Sequence, residues 1–522
     1  MLPHDETRLL EQSRALLGAP LLEASDFASE IAPVEGLSPL FLKEHAFLPL
    51  GVEGATLQVA TSVPVQPHIL DVLRQYTNLS LKLFLARRDD ILQQIERVYE
   101  SHAGEMQGIM HDAEMPEGDG SEDDLEFLKV QAEDAPVVRL VQLIISNAVD
   151  SRASDIHLEI YQDNFKVRYR IDGVLNDIES PPRRMFLPTL SHLKLRARMN
   201  IAERRLPQDG RIKMVIHQHE IDMRVSTIPT VYGESMVIRI LDQNATVLDL
   251  ETLGFESEML ATFQHFIEQP HGMILVTGPT GSGKTTTLYG ALTRINTPQS
   301  KIITVEDPVE YQIDGINQMQ VKPQIDLTFA TALRAIVRQD PDIIMVGEIR
   351  DRETAEIAIQ SALTGHLVFS TLHTNDSFSA PHRLLDMGVE SYLIASSVLM
   401  IQAQRLVRVI CPRCKYEASL TDMDKLFLEQ EKIEATPDIR LFRGKGCNHC
   451  ANTGYKGRTG IYELMPLTGK VKEAILKKES AEIIRAVALR EGIKPMRVDG
   501  LRKAFAGETT LDELARVTRQ EI

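Results

Sequence analysis

The chain has no tryptophan and only four cysteines in 522 residues, and aromatic residues make up 5%. No stretch approaches the ~20 consecutive apolar residues that a helix needs to cross a bilayer, so a helical membrane span is excluded. The amino terminus, Met1-Leu2-Pro3-His4-Asp5-Glu6, has neither the basic start nor the apolar core of a signal peptide. These absences point to the cytoplasm, where four cysteines are poor disulfide partners and their spacing is first tested for metal binding. Positive charge is also in deficit, with 57 Lys and Arg against 74 Asp and Glu. The deficit is uneven: residues 1–100 hold 8 basic and 14 acidic residues, 101–134 hold one and eleven, and the remainder 48 and 49. Net charge therefore says little about the larger part of the chain. The lack of a base-reading helix and of aromatics set among Lys and Arg counts against nucleic acid as a partner.

Periodicity and composition divide the chain into six parts. Residues 1–100 read as a small α+β docking domain, with a strand at 55–60 and an amphipathic helix around Ile91, Ile95 and Val98. Residues 101–134 have too little apolar area to offset the entropy of ordering, so they are expected to form an acidic flexible linker. Residues 135–242 open with a helix capped at Asp134, with Pro136 in its first turn and Val137, Leu140, Val141, Ile144, Ile145 and Ala148 on one face. Period-two strands follow, giving a second α+β domain. Residues 243–410 alternate strand and helix, the pattern of a mainly parallel α/β sheet. A cysteine module occupies 411–450 and helices 451–522.

Gly278-Pro279-Thr280-Gly281-Ser282-Gly283-Lys284-Thr285-Thr286 follows the apolar strand Met273-Ile274-Leu275-Val276-Thr277 and opens a helix, the context a P-loop requires. The glycines let backbone N–H groups approach phosphate oxygens, and the helix start adds partial positive charge. Lys284 is expected on the β- and γ-phosphates of ATP, and the Thr285 hydroxyl on Mg²⁺. Two further strands end in acids, at Glu306-Asp307-Pro308-Val309-Glu310 and at Glu348, along the edge where open α/β sheets bind ligands.

Together with Thr364-Gly365-His366 through Leu372-His373-Thr374-Asn375, Ala153-Ser154-Asp155-Ile156-His157-Leu158-Glu159 and Arg205-Leu206-Pro207-Gln208-Asp209-Gly210-Arg211, these segments resemble the secretion and type IV pilus ATPase superfamily, nearest its type II secretion branch. The likeness covers roughly residues 135–470. Residues 1–100 resemble the family only in size and position, and residues 1–60 lack the repeated Arg-Leu-Gly helical motifs of a cyclic-dinucleotide module. The resemblance implies a RecA-like P-loop core preceded by a PAS-like α+β domain. It makes Glu310 the catalytic base and Glu348 the Walker B carboxylate, and gives His366 and His373 either γ-phosphate sensing or coupling of hydrolysis to movement. It also implies a homo-hexamer in which arginines close over nucleotide, with Arg211, Arg224 and Arg239 in the preceding domain and Arg334 and Arg338 four apart on one predicted helix. Partners would be inner-membrane platform proteins, one bitopic and bound by the N-terminal domain and one polytopic, leaving the ATPase cytoplasmic and peripheral at that membrane.

Cys411-Pro412-Arg413-Cys414 and Cys447-Asn448-His449-Cys450 use every cysteine of the chain in two C-x2-C pairs, as expected for a closed structural Zn²⁺ site. His449 reads as a bystander. The leading function is an ATPase driving pseudopilus assembly and protein export. Type IV pilus extension is the alternative within the family, and a nucleic-acid motor or a noncatalytic ATP-locked scaffold the alternatives outside it.

Overall fold

The computed structural model describes residues 130–518, apart from 163, 179–180, 217–218, 243–248, 435 and 437–438, together with much of 19–99. The expected linker therefore lies outside the described residues as far as 129. Near the amino terminus, β1 (Phe47–Glu53), β2 (Thr56–Thr61) and β3 (Ser80–Leu85) form a sheet in that order. Helix α1 (Arg88–Tyr99) buries Ile91 and Ile95 in the same apolar cluster as Leu48, Leu57 and Val59.

Helix α2 (Ala135–Asp150) begins after Asp134 and buries the six apolar residues that its periodicity selects. The Asp134 side chain makes no capping bond there. Strands β4 (Ala153–Ile160), β5 (Phe165–Ile171) and β6 (Val174–Asp177), helix α3 (Phe186–Arg196), and strands β7 (Gln208–Ile216), β8 (His219–Thr230) and β9 (Gly233–Asp242) follow. The six strands make one antiparallel sheet in the order β6-β5-β4-β9-β8-β7. Because side chains alternate across a strand, one face is apolar and shares a core with α2 and α3, while the other collects charge. Register sets Arg211 opposite Arg224, Arg224 opposite Arg239, and Arg239 opposite Asp155, a row of charge across four strands.

The third unit carries α4 (Ser257–Ile267), β10 (Gly272–Thr277), α5 (Lys284–Ile295), β11 (Ile302–Glu306), β12 (Asn317–Gln320), α6 (Phe329–Ile336), β13 (Ile343–Val346), α7 (Arg352–Leu363), β14 (Leu367–Leu372), α8 (Ala380–Asp386), α9 (Ser391–Ser397) and β15 (Val398–Ile410). Strands β10, β11, β13 and β14 are buried at every residue, which requires cover on both faces and explains why they are mainly apolar rather than alternating. The sheet order is β12-β11-β13-β14-β10-β15-β18, parallel except for the last strand.

That last strand refines the expectation of a helical region with few strand signals over 451–522: the helices are there, but they begin at Gly469, after a long strand. After β16 (Lys415–Ala418), α10 (Asp422–Gln430) and β17 (Leu441–Gly444), β18 (Tyr455–Pro466) returns antiparallel to β15. Its residues 460–465 are all buried, so the strand extends the ATPase sheet, and the cysteine module is an excursion between two strands of that sheet. Helices α11 (Gly469–Leu476), α12 (Ala481–Arg490), α13 (Met496–Phe505) and α14 (Leu511–Val517) complete the chain. Val471, Ile475, Ile484 and Ala488 of α11 and α12 belong to the ATPase core, whereas Leu501, Ala504 and Leu514 of α13 and α14 pack with Leu428 and Leu441 of the cysteine module.

Candidate nucleotide site and cysteine cluster

The P-loop leaves β10 at Thr277 and enters α5 at Lys284. Gly278, Gly281 and Gly283 all take positive φ, and Gly278 has a second reason to lack a side chain: a Cβ there would meet the Gln404 carbonyl oxygen at 2.6 Å and Ser282 Oγ at 2.5 Å. At Gly281 nothing lies within 4 Å, so the loop is open on that side. Ser282 is buried and its hydroxyl has no partner among the described residues. An orphaned donor, backbone N–H groups at a helix start and a glycine-lined opening together fit a phosphate.

Lys284 Nζ donates to the carbonyls of Gly278 (2.8 Å) and Pro279 (3.1 Å). Burial pulls its ammonium down to about 8, with Glu348 opposing and Arg405 adding to the shift. Thr285 and Pro279 to Gly281 are exposed. Beneath the loop, buried Gln404 of β15 donates to the Ser282 carbonyl (2.8 Å) and accepts from Thr287 Oγ (3.0 Å) and Gln402 Nε2 (2.7 Å). Arg405 grips Asn375 at its carbonyl and side-chain oxygens, both at 2.9 Å. Neither residue belongs to the motifs read above. The available signal was a pair of glutamines in the otherwise apolar run Met400-Ile401-Gln402-Ala403-Gln404.

Glu348 lies just past β13 with its carboxylate between Arg350 and His373 Nε2 (3.2 Å). Burial works to raise its pKa, but the hydrogen bonds and charge of Arg350 and His373 outweigh it and hold the group below the usual carboxylate range. Glu310 approaches from the other domain boundary, 3.9 Å from Arg224 Nη2, which also donates to the Val309 carbonyl (3.3 Å). Burial lowers the Arg224 pKa, Glu310 opposes the shift, and Arg211 adds to it. Arg224 Nε is buried without a partner among the described residues. Arg239 is tied to Asp155 at 2.9 Å. The arginine row thus faces Asp307 and Pro308 across an open cleft of about 680 Å³ that Arg211, Arg224 and Arg239 line.

Three expected site residues lie elsewhere. His366 precedes β14, and its carbonyl accepts from Gly272 N at the start of β10. The P-loop leaves the other end of that six-residue strand, roughly 20 Å away at ~3.3 Å per residue. His366 Nδ1 instead bonds the Ser361 carbonyl (2.8 Å). Helix α6 ends at Ile336, so Arg338 does not share its face with Arg334: Arg338 Nη1 donates to the Arg334 carbonyl (2.7 Å), and Arg334 pairs with Glu353 of α7. Both arginines are exposed, and the following Gln339 meets Lys301 at the amino ends of the strands. His373, at the carboxyl end of β14, does reach the site.

The four cysteine sulfurs lie within 4.8 Å of one another, with Cys411–Cys447, Cys414–Cys450 and Cys447–Cys450 at 3.8, 3.9 and 3.7 Å. A tetrahedron with Zn–S bonds of about 2.3 Å has edges of about 3.8 Å, so the donor set fits zinc. Burial works to raise the Cys450 thiol, but the N–H groups of Cys447 and Gly454 outweigh it and set the group at about 7. His449 Nδ1 lies 3.0 Å from Lys456 Nζ and is outside the cluster.

A P-loop on a parallel sheet, acids at adjacent strand ends and an arginine-bearing domain facing them define a P-loop ATPase. Residues 130–516 match the family described as "Type II/IV secretion system protein", and the chain belongs to that family of ATP-hydrolysing proteins. Residues 17–105 match the MshEN domain, which corrects the expectation that this region resembles known relatives only in size and position. Type II secretion system protein E of Xanthomonas campestris is 48% identical over 97% of this chain and 90% of its own length. The type IV pilus assembly ATPase PilB of Myxococcus xanthus is 42% identical over 98% and 91%. Among solved structures, the ADP-bound pilus retraction motor PilT is 26% identical, with a TM-score of 0.50 over 72% of this chain and 96% of PilT. No described helix is long and apolar enough to cross a membrane.

Proposed function

We propose that this ATPase powers protein export by a type II secretion system, hydrolysing Mg-ATP to assemble a pseudopilus. The observation that supports the chemistry is Glu310 lying 3.9 Å from Arg224 of the preceding domain, with Glu348 near enough to the P-loop Lys284 to oppose the fall of its pKa. Lys284 would leave its own loop carbonyls for the β- and γ-phosphates. Glu310 would take the proton of the attacking water, and Arg224, with Arg211 behind it, would neutralise charge building on the transferring phosphoryl group, an effect worth ~10³ to 10⁵ in rate where measured. Thr285 and Glu348 would hold the magnesium shell; the metal supplies charge neutralisation on the phosphate oxygens. His373 orients Glu348. His366 is removed from this list by its position.

Arg334 and Arg338, both exposed, would be available to a neighbouring subunit of a hexamer. Zinc on the four cysteines would clamp the small insert between β15 and β18. Residues 1–100 would dock on a bitopic inner-membrane platform protein, with a polytopic one as the object of the stroke, leaving the ATPase cytoplasmic and peripheral. Higher identity to the type II secretion relative than to PilB favours secretion over pilus extension. The test is a pair of variants: Lys284→Ala loses nucleotide binding, and Glu310→Gln keeps binding and loses hydrolysis. Normal turnover by Glu310→Gln overturns the base assignment. Capture of a bitopic secretion-platform protein by the full-length chain, against capture of pilus components alone, separates the two pathways.

A further inference from the structure

Glu306 is a buried acid with no cationic partner. It closes β11, its side chain is 3% exposed, and no Lys or Arg among the described residues pairs with it. Its carboxylate is held by three neutral donors: Tyr289 OH on one oxygen, and Thr304 Oγ (2.5 Å) and Gln318 Nε2 (3.2 Å) on the other. Burying a carboxylate in this way is costly compared with an apolar residue of similar size. Burial raises its pKa above the usual range, and the neighbouring charge of Glu310 adds to that rise. The purpose of the acid is therefore to be sought in what it holds.

It holds Tyr289. This residue lies on α5, five positions after Lys284; its ring is fully buried, edge-on to Tyr311, with centroids 4.6 Å apart. The Tyr289 hydroxyl donates to Glu306 and accepts from the Glu310 backbone N–H at 3.3 Å and from Gln318 Nε2 at 3.4 Å. The segment 307–310 belongs to neither helix nor strand, so no ladder fixes it. Its carbonyl at Val309 is held by Arg224 from the other domain, and its N–H at Glu310 by Tyr289 from the P-loop helix.

We propose that Tyr289, oriented by Glu306, is a positioning residue for Glu310, fixing the backbone from which that carboxylate reaches the attacking water. The inference rests on the reading of Glu310 as the base. It links the P-loop helix to the hydrolytic group through one hydroxyl, so that movement of α5 on nucleotide binding is passed to Glu310. Misplacement of a reacting group by ~1 Å costs about 10²-fold in rate; a single lost tether at an otherwise intact site is expected to cost about tenfold.

The experiment measures kcat, KM and nucleotide affinity for full-length Tyr289→Phe, Glu310→Gln and the double variant. Tyr289→Phe is expected to lower kcat about tenfold with KM and affinity unchanged, and to add nothing to Glu310→Gln, because both act through one group. A wild-type kcat in Tyr289→Phe beside an inactive Glu310→Gln overturns the proposal. So does a loss that multiplies on the Glu310→Gln background, or one that affinity shares. Wild-type turnover by Glu310→Gln sinks the base assignment itself and the proposal with it. If Tyr289→Phe does not fold, Glu306→Gln carries the test, since its amide nitrogen offers the Tyr289 hydroxyl a competing donor: kcat falls a few-fold with affinity kept, and an unchanged kcat overturns the idea.

Discussion

Replacing Gln404 by leucine keeps the shape of a buried side chain while removing the amide that ties the P-loop to β15. Three bonds are lost, to the Ser282 carbonyl, the Thr287 hydroxyl and the Gln402 amide. The threonine hydroxyl can rotate to a carbonyl of its own helix, but the Ser282 carbonyl and the Gln402 amide nitrogen stay buried and unpaired. At roughly 1–3 kcal/mol for each orphaned group, the substitution costs about 2–6 kcal/mol. Only the Ser282 share bears on the nucleotide, because that carbonyl belongs to the loop. If it is relieved by a loop conformation that cannot bind, nucleotide affinity falls with the population of the competent form, about 1.4 kcal/mol for each tenfold. Titration of the full-length protein with a fluorescent nucleotide should therefore show a Kd raised about 10- to 100-fold, with a lowered Tm. Gln402→Leu, which touches Gln404 but not the loop, is the control: lower Tm with near-normal Kd. A Gln404→Leu protein that binds nucleotide within twofold of wild type would refute the reasoning, because the loop would then be holding its shape without the strand beneath it.

Two further outcomes follow from the site and the module. Lys284 releases its proton near pH 8 in the folded, nucleotide-free protein and near its ordinary value of 10.5 when unfolded. Between those values the unfolded state binds more protons, so this group makes the nucleotide-free protein more stable as pH rises. Phosphate favours the ammonium, so binding of Mg-ATP just above pH 8 takes up a proton and weakens as pH rises further. Calorimetry in two buffers of different ionisation enthalpy measures that uptake, and Lys284→Arg abolishes it; equal heats for the wild type in both buffers would refute it. The purified chain should carry one zinc, and Cys447→Ser should lose it and lower the Tm, since α13 and α14 pack on the module. Metal analysis finding no zinc after growth with zinc supplied contradicts the assignment.

Local physics was legible in the chain. The α2 face was readable because a 3.6-residue period names its own buried side, and the P-loop because Gly, Lys and Thr at fixed spacing between a strand and a helix carry their chemistry wherever the sheet lies. The cysteine set was readable because all four residues share one function. Relations across distance are not recorded along the chain. Arg334 and Arg338 are four apart, but one turn of helix ends between them, and helix ends are the least certain part of any pattern. β18 hides as a run of apolar residues with helices after it, and only pairing with β15 makes it a strand.

The sequence by itself determined which groups could bind and cleave a triphosphate, since side-chain identity and short spacing set donors, acids and thiols. Tertiary structure decided which of them meet. Parallel register sends His373 to the P-loop end of the sheet and His366 to the opposite one, although only six residues separate them, because an extended strand moves its ends apart as fast as geometry allows. Antiparallel register gathers Arg211, Arg224 and Arg239 from three strands into a row whose Arg224 lies beside Glu310. Buried polar contacts bring in Gln404 and Tyr289, which hold backbone atoms of Ser282 and Glu310, and Glu306, which holds the Tyr289 hydroxyl. No spacing along the chain records those atoms, because they become neighbours only when the sheet closes.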